Sequence, residues 1–224
     1  MIDAQQQNNL KNIAVVIPAL NEANDITEVV AGVALFGMPI VVDDGSNDDT
    51  AILAELAGAL VVKHWVNRGY DAALESGLFK AIELGFEFAV TLDADGQHFP
   101  ETLLAFKAEL VGGADLVVGF RDHHQRFSET TFSAISKTLW GVIDPLCGMK
   151  GYKLSHLAKL GHFDSYNSIG TEFTLRCVRA GLNIKNVTVP TRKRSGKTRF
   201  GSGTIANLKI FRALLIGLIN KKKL

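Results

Sequence analysis

The chain has 224 residues with 24 Lys and Arg against 23 Asp and Glu, long enough to bury a full core as one domain with a small extension. Two cysteines, Cys147 and Cys177, exclude a disulfide scaffold, and no stretch approaches the roughly 20 apolar residues that cross a bilayer, since Arg212 interrupts the longest candidate, Ile210 to Ile219. The polar start MIDAQQQNNLKN lacks the pattern of a secretory leader, so a cytoplasmic setting is expected; the balanced charge says little about partners, and no nucleic acid is expected among them.

In chain order, Ile13 to Ile17 is a short β-rich run stopped by Pro18, the pattern of a strand buried on both faces of a parallel sheet. Ile26, Val29, Val30 and Val33 recur at helical spacing up to Gly37 and Pro39, with Asn21 or Asn24 as the cap. The cycle repeats with a strand at Ile40 to Val42, a helix over Asp49 to Ala57, a strand at Ala59 to Lys63 and a helix over Tyr70 to Leu84. Phe88 to Leu92 is the next strand, Pro100 to Leu110 a helix and Asp115 to Gly119 a strand. The alternation predicts an α/β fold with a mostly parallel central sheet flanked by helices. Beyond Phe120 it breaks down. Residues 121 to 142 carry a helical pattern through Phe132, Ile135 and Leu139, and Asp144 to Gly148 reads as a turn-rich connector. Glu172 to Ala180 reads as a helix ended by Gly181, and Asn183 to Val189 as a strand before Pro190. Thr204 to Ile219 reads as a helix with a mostly apolar face, followed by Lys221 to Lys223.

Sites in such sheets lie at the carboxyl ends of the strands, where Pro18 to Glu22, Asp43 to Ser46 and Asp93 to Gln97 all fall. Acids at the tip of a buried strand repel each other and lose hydration unless a cation, a ligand or a run of donors compensates. In TLDADGQHFP, Asp93 and Asp95 flank Ala94, and Gln97 adds a neutral oxygen at the same spacing. The three suit a hard divalent ion such as Mg²⁺, which keeps room for phosphates; the competing reading is a turn in which Asp95 or Gln97 caps the helix at Pro100. Asp43 and Asp44 suit ribose hydroxyls or base N–H groups, or else a turn through Asp44-Gly45. The chain has no GxxxxGK[ST] loop after a strand, and no GxGxxG opens the first helix, so neither a P-loop ATPase nor a dinucleotide cofactor is supported. An acidic pair for a nucleoside beside one for a metal points to a nucleoside diphosphate compound, whose leaving group a Lewis acid would improve.

Ile17-Pro18-Ala19-Leu20-Asn21-Glu22, then Val41-Val42-Asp43-Asp44-Gly45-Ser46-Asn47-Asp48-Asp49-Thr50, then Asp93-Ala94-Asp95-Gly96-Gln97-His98 resemble, in order, the motifs of a family 2 glycosyltransferase of the GT-A fold. Within that family the chain is most similar to the dolichol-phosphate mannosyltransferase and polyprenyl-phosphate glycosyltransferase group, from about Ile13 to about Gly203. The resemblance implies a catalytic domain over residues 13 to 203, between a polar tail at 1 to 12 and a helix with a basic tail at 204 to 224. It implies a nucleotide-sugar donor held by Pro18, Ala19, Glu22, Asp43, Asp44, Gly69 and Asp93, and Mg²⁺ or Mn²⁺ held by Asp93, Asp95 and Gln97. One motif departs: the family commonly has Asn-x-Gly-Lys-Gly-x-Ala after the third strand, where this chain has Asn67-Arg68-Gly69-Tyr70-Asp71-Ala72-Ala73. Asp71 is expected to cap the following helix.

Arg192 to Arg199 puts five cations and a glycine turn in eight residues, either a solvated face or a phosphate site. The resemblance favours the latter and implies acceptor-phosphate contacts from Arg121, Arg126, Lys193, Arg194, Lys197 and Arg199, with Asp95, Arg121 and Glu172 as the catalytic set. His98, His123 and His124 are read as surface or structural rather than as ligands. Glu172 has three readings: a base for a hydroxyl acceptor, an acceptor-orienting group, or a helix-start acid favoured by the dipole. A lipid phosphate is already an anion and needs positioning rather than a base. The expected reaction is inverting transfer of one sugar from a GDP- or UDP-sugar to a polyprenyl phosphate. A glycan hydroxyl acceptor is the alternative, and a non-catalytic sugar-nucleotide-binding protein a remoter one. For the tail helix, Leu208, Phe211, Leu214, Leu215 and Leu218 on one side and Lys209, Arg212 and Lys221 to Lys223 near headgroups fit either the inner face of a membrane or plain core packing; a membrane partner protein is a further option.

Overall fold

The computed structural model describes residues 13–121, 127–163, 169–192 and 203–219. In chain order the elements are β1 (Ile13–Ala19), α1 (Ile26–Val33), β2 (Met38–Asp43), α2 (Thr50–Leu56), β3 (Leu60–Lys63), α3 (Tyr70–Glu83), β4 (Phe88–Thr91) and α4 (Thr102–Val111). There follow β5 (Leu116–Phe120), α5 (Phe127–Trp140), β6 (Lys150–Lys153), α6 (Leu154–Leu160), α7 (Thr171–Arg179), β7 (Ile184–Thr188) and α8 (Gly203–Ile219). The sheet runs β3-β2-β1-β4-β6-β5-β7, and only β6 is antiparallel to its neighbours. The mostly parallel α/β sheet is therefore as the alternation predicts.

β1 shows why its sequence is apolar throughout. Val15 and Ile17 pack on one side with Val29, Val33, Phe106 and Leu110 of α1 and α4, while Ala14 and Val16 pack on the other with Leu74, Leu78 and Phe173 of α3 and α7. A strand covered by helices on both faces has no solvent side on which a polar residue would be favoured. α3 comes so close that a Cβ on Gly77 would lie 2.3 Å from Val16 Cγ1 and 2.9 Å from Val42 Cγ2. A third cluster joins Phe132 of α5 to Ile210, Ala213 and Leu214 of α8.

Several boundaries differ from expectation. Pro18 does not stop β1, which continues to Ala19 in register with Asp43. The carbonyl of Val16 accepts from Leu92 on the β4 side, so Pro18, two residues on, faces the same side where the β4 ladder has already ended at Thr91. Its missing N–H leaves no ladder bond unmade. Asn21 and Asn24 do not cap α1, which begins after Asp25 without a side-chain cap; Asn21 instead adopts a φ of 54° and accepts a bond from the Asn47 N–H at 2.8 Å. β6 and α6 were not anticipated, because Lys150-Gly151-Tyr152-Lys153 alternates nothing apolar. Gly151 sits tightly there: a Cβ would lie 3.0 Å from Leu110 Cδ1 and 3.2 Å from Phe106 Cδ1.

Lys150 is fully buried, and its ammonium donates to the carbonyl of Pro145 at 2.8 Å and to that of Ile169. The lysine thereby ties the 144–148 connector to the start of α7.

Two predictions follow from this packing. Gly77→Ala should cost about 1–3 kcal/mol of stability in urea or thermal melts, because the methyl enters β1 and β2 side chains that are already in contact; an unchanged midpoint would refute the close approach. Burial holds the Lys150 ammonium down to about 8 from 10.5. Between those values the unfolded chain binds more protons than the folded one, so the Lys150 contribution to stability rises with pH. The stability difference between parent and Lys150→Met should grow by up to about 1.4 kcal/mol per pH unit in that window. A difference flat from pH 8 to 10 would rule this out.

Candidate active site

The carboxyl ends of β1, β2, β3, β4, β5 and β7 open on one rim, and the amino end of the antiparallel β6 reaches the same rim. Pro18, Ala19, Glu22, Asp43, Asp44, Asp93, Asp95, Gln97 and Arg121 all lie along it. The first two loops are knitted together. Asn21 N–H donates to Ser46 Oγ at 2.9 Å, Glu22 N–H to Thr50 Oγ1 at 2.8 Å, and Ala23 N–H to Asp48 Oδ2 at 3.2 Å. Asp48 sits below the usual carboxylate value: its slight burial works to raise it, but the bonds from Thr50 and Ala23 prevail.

Asp43 and Asp44 are both buried but differ in what they face. Asp43 Oδ1 accepts from the Ser46 N–H at 3.1 Å within its own turn. Asp44 accepts from Arg68 N–H at 2.9 Å, from Gly69 N–H at 2.8 Å and from His64 Nδ1 at 2.6 Å. With Nδ1–H donating to the carboxylate, His64 Nε2 accepts from the Ser76 hydroxyl at 2.9 Å. Gly45 is needed between the loops: φ is +79° and a Cβ would lie 2.8 Å from Asn67 N. Gly69 (φ +95°) is the N-cap of α3, and Asp71 falls in the first turn rather than at the cap position, contrary to expectation.

At the end of β4, Asp93 accepts from the Tyr70 hydroxyl at 2.7 Å, and its other oxygen lies 3.4 Å from His98 Nε2. Burial works to raise the Asp93 pKa, but the hydrogen bonds from His98 and Tyr70 and the charge of Arg121 outweigh it and hold the group below the ordinary value. Asp95 Oδ1 accepts from Gln97 N–H at 3.1 Å in a tight turn. Neither Asp95 nor Gln97 caps α4, whose N-cap is Glu101 without a side-chain bond. The capped-helix reading of the motif therefore falls. His98 is buried, not on the surface, and its Nδ1 has no hydrogen-bond partner among the described residues.

This turn is joined to the far edge of the sheet. Arg192 N–H donates to Gln97 O at 2.9 Å, Gln97 Nε2 donates to Arg192 O at 3.3 Å, and His98 bridges to Thr191. The Arg192 guanidinium stacks over Phe99 at 4.4 Å and lies 3.9 Å from Glu28. Arg126, Lys193, Arg194, Lys197, Arg199, His123 and His124 lie outside the described residues, but Arg192 fixes where the cationic segment starts.

Arg121 follows β5 and donates through Nε to Asp144 Oδ2 at 2.8 Å and through Nη2 to Oδ1 at 3.2 Å, with Glu129 3.5 Å away. Burial works to lower its pKa; the bonds and charge of Asp144, with Glu129 beyond, push it above the ordinary arginine value. Glu172, in the first turn of α7, is buried and accepts from Arg176 at 3.0 Å. Cys147 is a buried thiol that burial pushes up to about 12, and Cys177 is shifted the same way, so neither offers a nucleophile.

Sequence reasoning missed His64, the Tyr70–Asp93 bond, Asp144, Glu129 and Lys150. A single histidine or a Tyr in place of an expected Lys carries no periodic signal. Asp144-Pro145 reads only as a turn.

For a divalent ion, no group of three or more His, Cys, Asp or Glu side chains converges among the described residues. The oxygens of Asp95 and Gln97, with Asp93 beside them, are hard donors in a half-buried turn, a set that fits Mg²⁺ or Mn²⁺ sharing its shell with phosphate oxygens.

The glycosyl transferase family 2 profile matches residues 14–175. The UDP-N-acetylglucosamine–dolichyl-phosphate N-acetylglucosaminyltransferase of Methanococcus voltae is 29% identical, over 92% of this chain and 96% of that one. The polyprenol monophosphomannose synthase of Mycolicibacterium smegmatis is 29% identical over 85% and 82%. In fold, the glucosyl-3-phosphoglycerate synthase of Mycobacterium tuberculosis, crystallised with Mn²⁺, uridine diphosphate and phosphoglyceric acid, superposes with a TM-score of 0.73 at 24% identity, over 92% of this chain and 78% of that one. With this GT-A architecture and a profile match over most of its length, the chain belongs to the family 2 glycosyltransferases.

Proposed function

We propose that this glycosyltransferase moves one sugar, with inversion, from a GDP- or UDP-sugar to a polyprenyl phosphate, with Mg²⁺ or Mn²⁺ at the Asp95–Gln97 turn. The observation that carries the reading is the pair of hydrogen bonds joining that turn to Arg192, the residue from which the cationic segment continues in sequence. The relatives named for dolichyl and polyprenol phosphate acceptors support the lipid side of the reading.

In this scheme Asp43 and Glu22, with the backbone at Pro18 and Ala19, meet the nucleoside, and Asp44 acts from beneath by holding the loop through Gly69. Asp93 accepts from donor hydroxyls, and Asp95 and Gln97 hold the metal. A bound divalent ion would neutralise the diphosphate as it leaves. Arg121, fixed by Asp144 and Glu129, offers its remaining N–H groups to the acceptor phosphate, joined by Arg126, Lys193, Arg194, Lys197 and Arg199. The acceptor oxygen is already anionic, so the protein's work is to align it with the anomeric carbon and to screen charge.

The hydroxyl-acceptor alternative needs a base, for which Glu172 is the candidate. Its Oε1 is committed to Arg176, which suits a group that orients its surroundings better than one that takes a proton. Among the described residues no helix is long and apolar enough to cross a membrane. The apolar side read from the sequence of α8 is divided: Leu214 is buried against α5, whereas Leu215, Leu218 and Ile219 are exposed. That exposed remainder, followed by Lys221 to Lys223, is the part of the tail suited to the inner face of a membrane.

Transfer from radiolabelled GDP- and UDP-sugars to membrane extracts should yield a product that partitions into organic solvent and is labile to mild acid; label found only in the aqueous phase would sink the lipid acceptor. Asp95→Asn should lower turnover at least ~100-fold while leaving the melting temperature within a few degrees, since the loss is of transition-state charge stabilisation. Turnover retained in that variant would remove the metal from the scheme. Glu172→Gln should keep activity within about tenfold, whereas a general base would cost roughly 10²–10⁴-fold.

A further inference from the structure

Tyr70 and Asp71 are where the chain leaves its family's pattern, and the structure gives Tyr70 a specific task. Its hydroxyl is 2.7 Å from Asp93 Oδ1. His98 Nε2 stands 3.4 Å from Oδ2. The third side is closed by backbone: a Cβ on Gly148 would lie 2.8 Å from Oδ2 and 3.1 Å from both Oδ1 and the Tyr70 hydroxyl.

Each wall is anchored elsewhere. Tyr70 begins α3 directly after Gly69, whose N–H is held by Asp44 at 2.8 Å. His98 is held by its bridge to Thr191 and the Gln97–Arg192 bonds. Gly148 is held by the Thr91 hydroxyl, which donates to its carbonyl at 2.6 Å. Three segments distant in sequence thus converge on one half-buried carboxylate and leave it a single position.

We propose that Tyr70 is a positioning residue for Asp93: with His98 and Gly148 it fixes the carboxylate so that its remaining acceptor capacity faces the hydroxyl groups of the sugar nucleotide. Burial, with the neighbouring Asp93 charge, pushes the phenol well above its ordinary pKa, so Tyr70 remains an O–H donor. An O–H donated to a carboxylate is among the stronger hydrogen bonds, and a carboxylate freed from it can rotate away from its ligand. The inference rests on the sugar-nucleotide reading above and extends it to a residue that touches no substrate.

The test is calorimetric titration of the full chain, in Mn²⁺, with UDP-N-acetylglucosamine and GDP-mannose, alongside steady-state kinetics with whichever binds. Tyr70→Phe removes one oxygen and keeps the ring. It should weaken sugar-nucleotide binding roughly tenfold, the loss of one hydrogen bond to a charged group, and raise the donor KM in step while kcat stays within about twofold. Asp93→Asn should weaken binding at least as much, and the double variant no more than Asp93→Asn alone, because the hydroxyl acts only through the carboxylate. Melting temperatures of the parent and Tyr70→Phe should agree within a few degrees. Unchanged donor binding in Tyr70→Phe, or losses that add in the double variant, would overturn the positioning role and leave the sugar-nucleotide reading standing. Failure of the parent to bind either sugar nucleotide would bring down both.

Discussion

The rim depends on one buried carboxylate. Asp44 is 4% exposed, and three donors share its two oxygens: the His64 imidazole and the N–H groups of Arg68 and Gly69. A carboxylate in that position would be costly if left unmatched, so the loop after β3 is drawn down until its N–H groups reach it. Where the loop ends, α3 begins; where α3 begins, Tyr70 is aimed at Asp93. The edge strand and the turn after β4 are in this way set from a single point, although β2 and β4 are not neighbours in the sheet.

The same economy governs the other half of the rim. Asp144 holds Arg121, and Lys150 gathers the carbonyls of Pro145 and Ile169. The connector between α5 and β6 therefore hangs between the half-buried Arg121 and the buried Lys150, and its Gly148 closes on Asp93. Burying the Lys150 ammonium contributes little net stability, since desolvation offsets most of the attraction, but moving the two carbonyls away from it would leave a buried charge without partners. For the alignment of acceptor and leaving group proposed above, a framework with one arrangement is worth that cost.

The alternating half of the fold was legible because it is periodic. β1 to β5 and α1 to α4 each carry a run of apolar residues that only one period explains, and their ends fall within a few residues of expectation. The carboxylates of the rim were legible for a related reason, since Asp43, Asp93 and Asp95 end apolar strands where acids are out of place. What could not be read is what depends on contact between distant segments. β6 is a strand because β4 and β5 both need a partner there, not because Lys150-Gly151-Tyr152-Lys153 favours one. The division of labour between Asp43 and Asp44 is equally invisible: adjacent residues on a strand point to opposite sides, and only the position of His64 and the Gly69 loop decides which one turns inward.

The departure at Tyr70 shows how such contacts alter the meaning of a motif. Judged by residue type, a Tyr in place of a Lys removes a cation from the motif and leaves the identity of the donor open. Judged by geometry, the phenol reaches Asp93 and supplies it with a neutral donor, so the acid keeps its negative charge. His98 lies on the opposite oxygen and Arg121 contributes charge from the end of β5, and together with the phenol these outweigh the burial that works to raise its pKa. The residue at position 70 is therefore better understood through the carboxylate it holds than through the residue type it departs from.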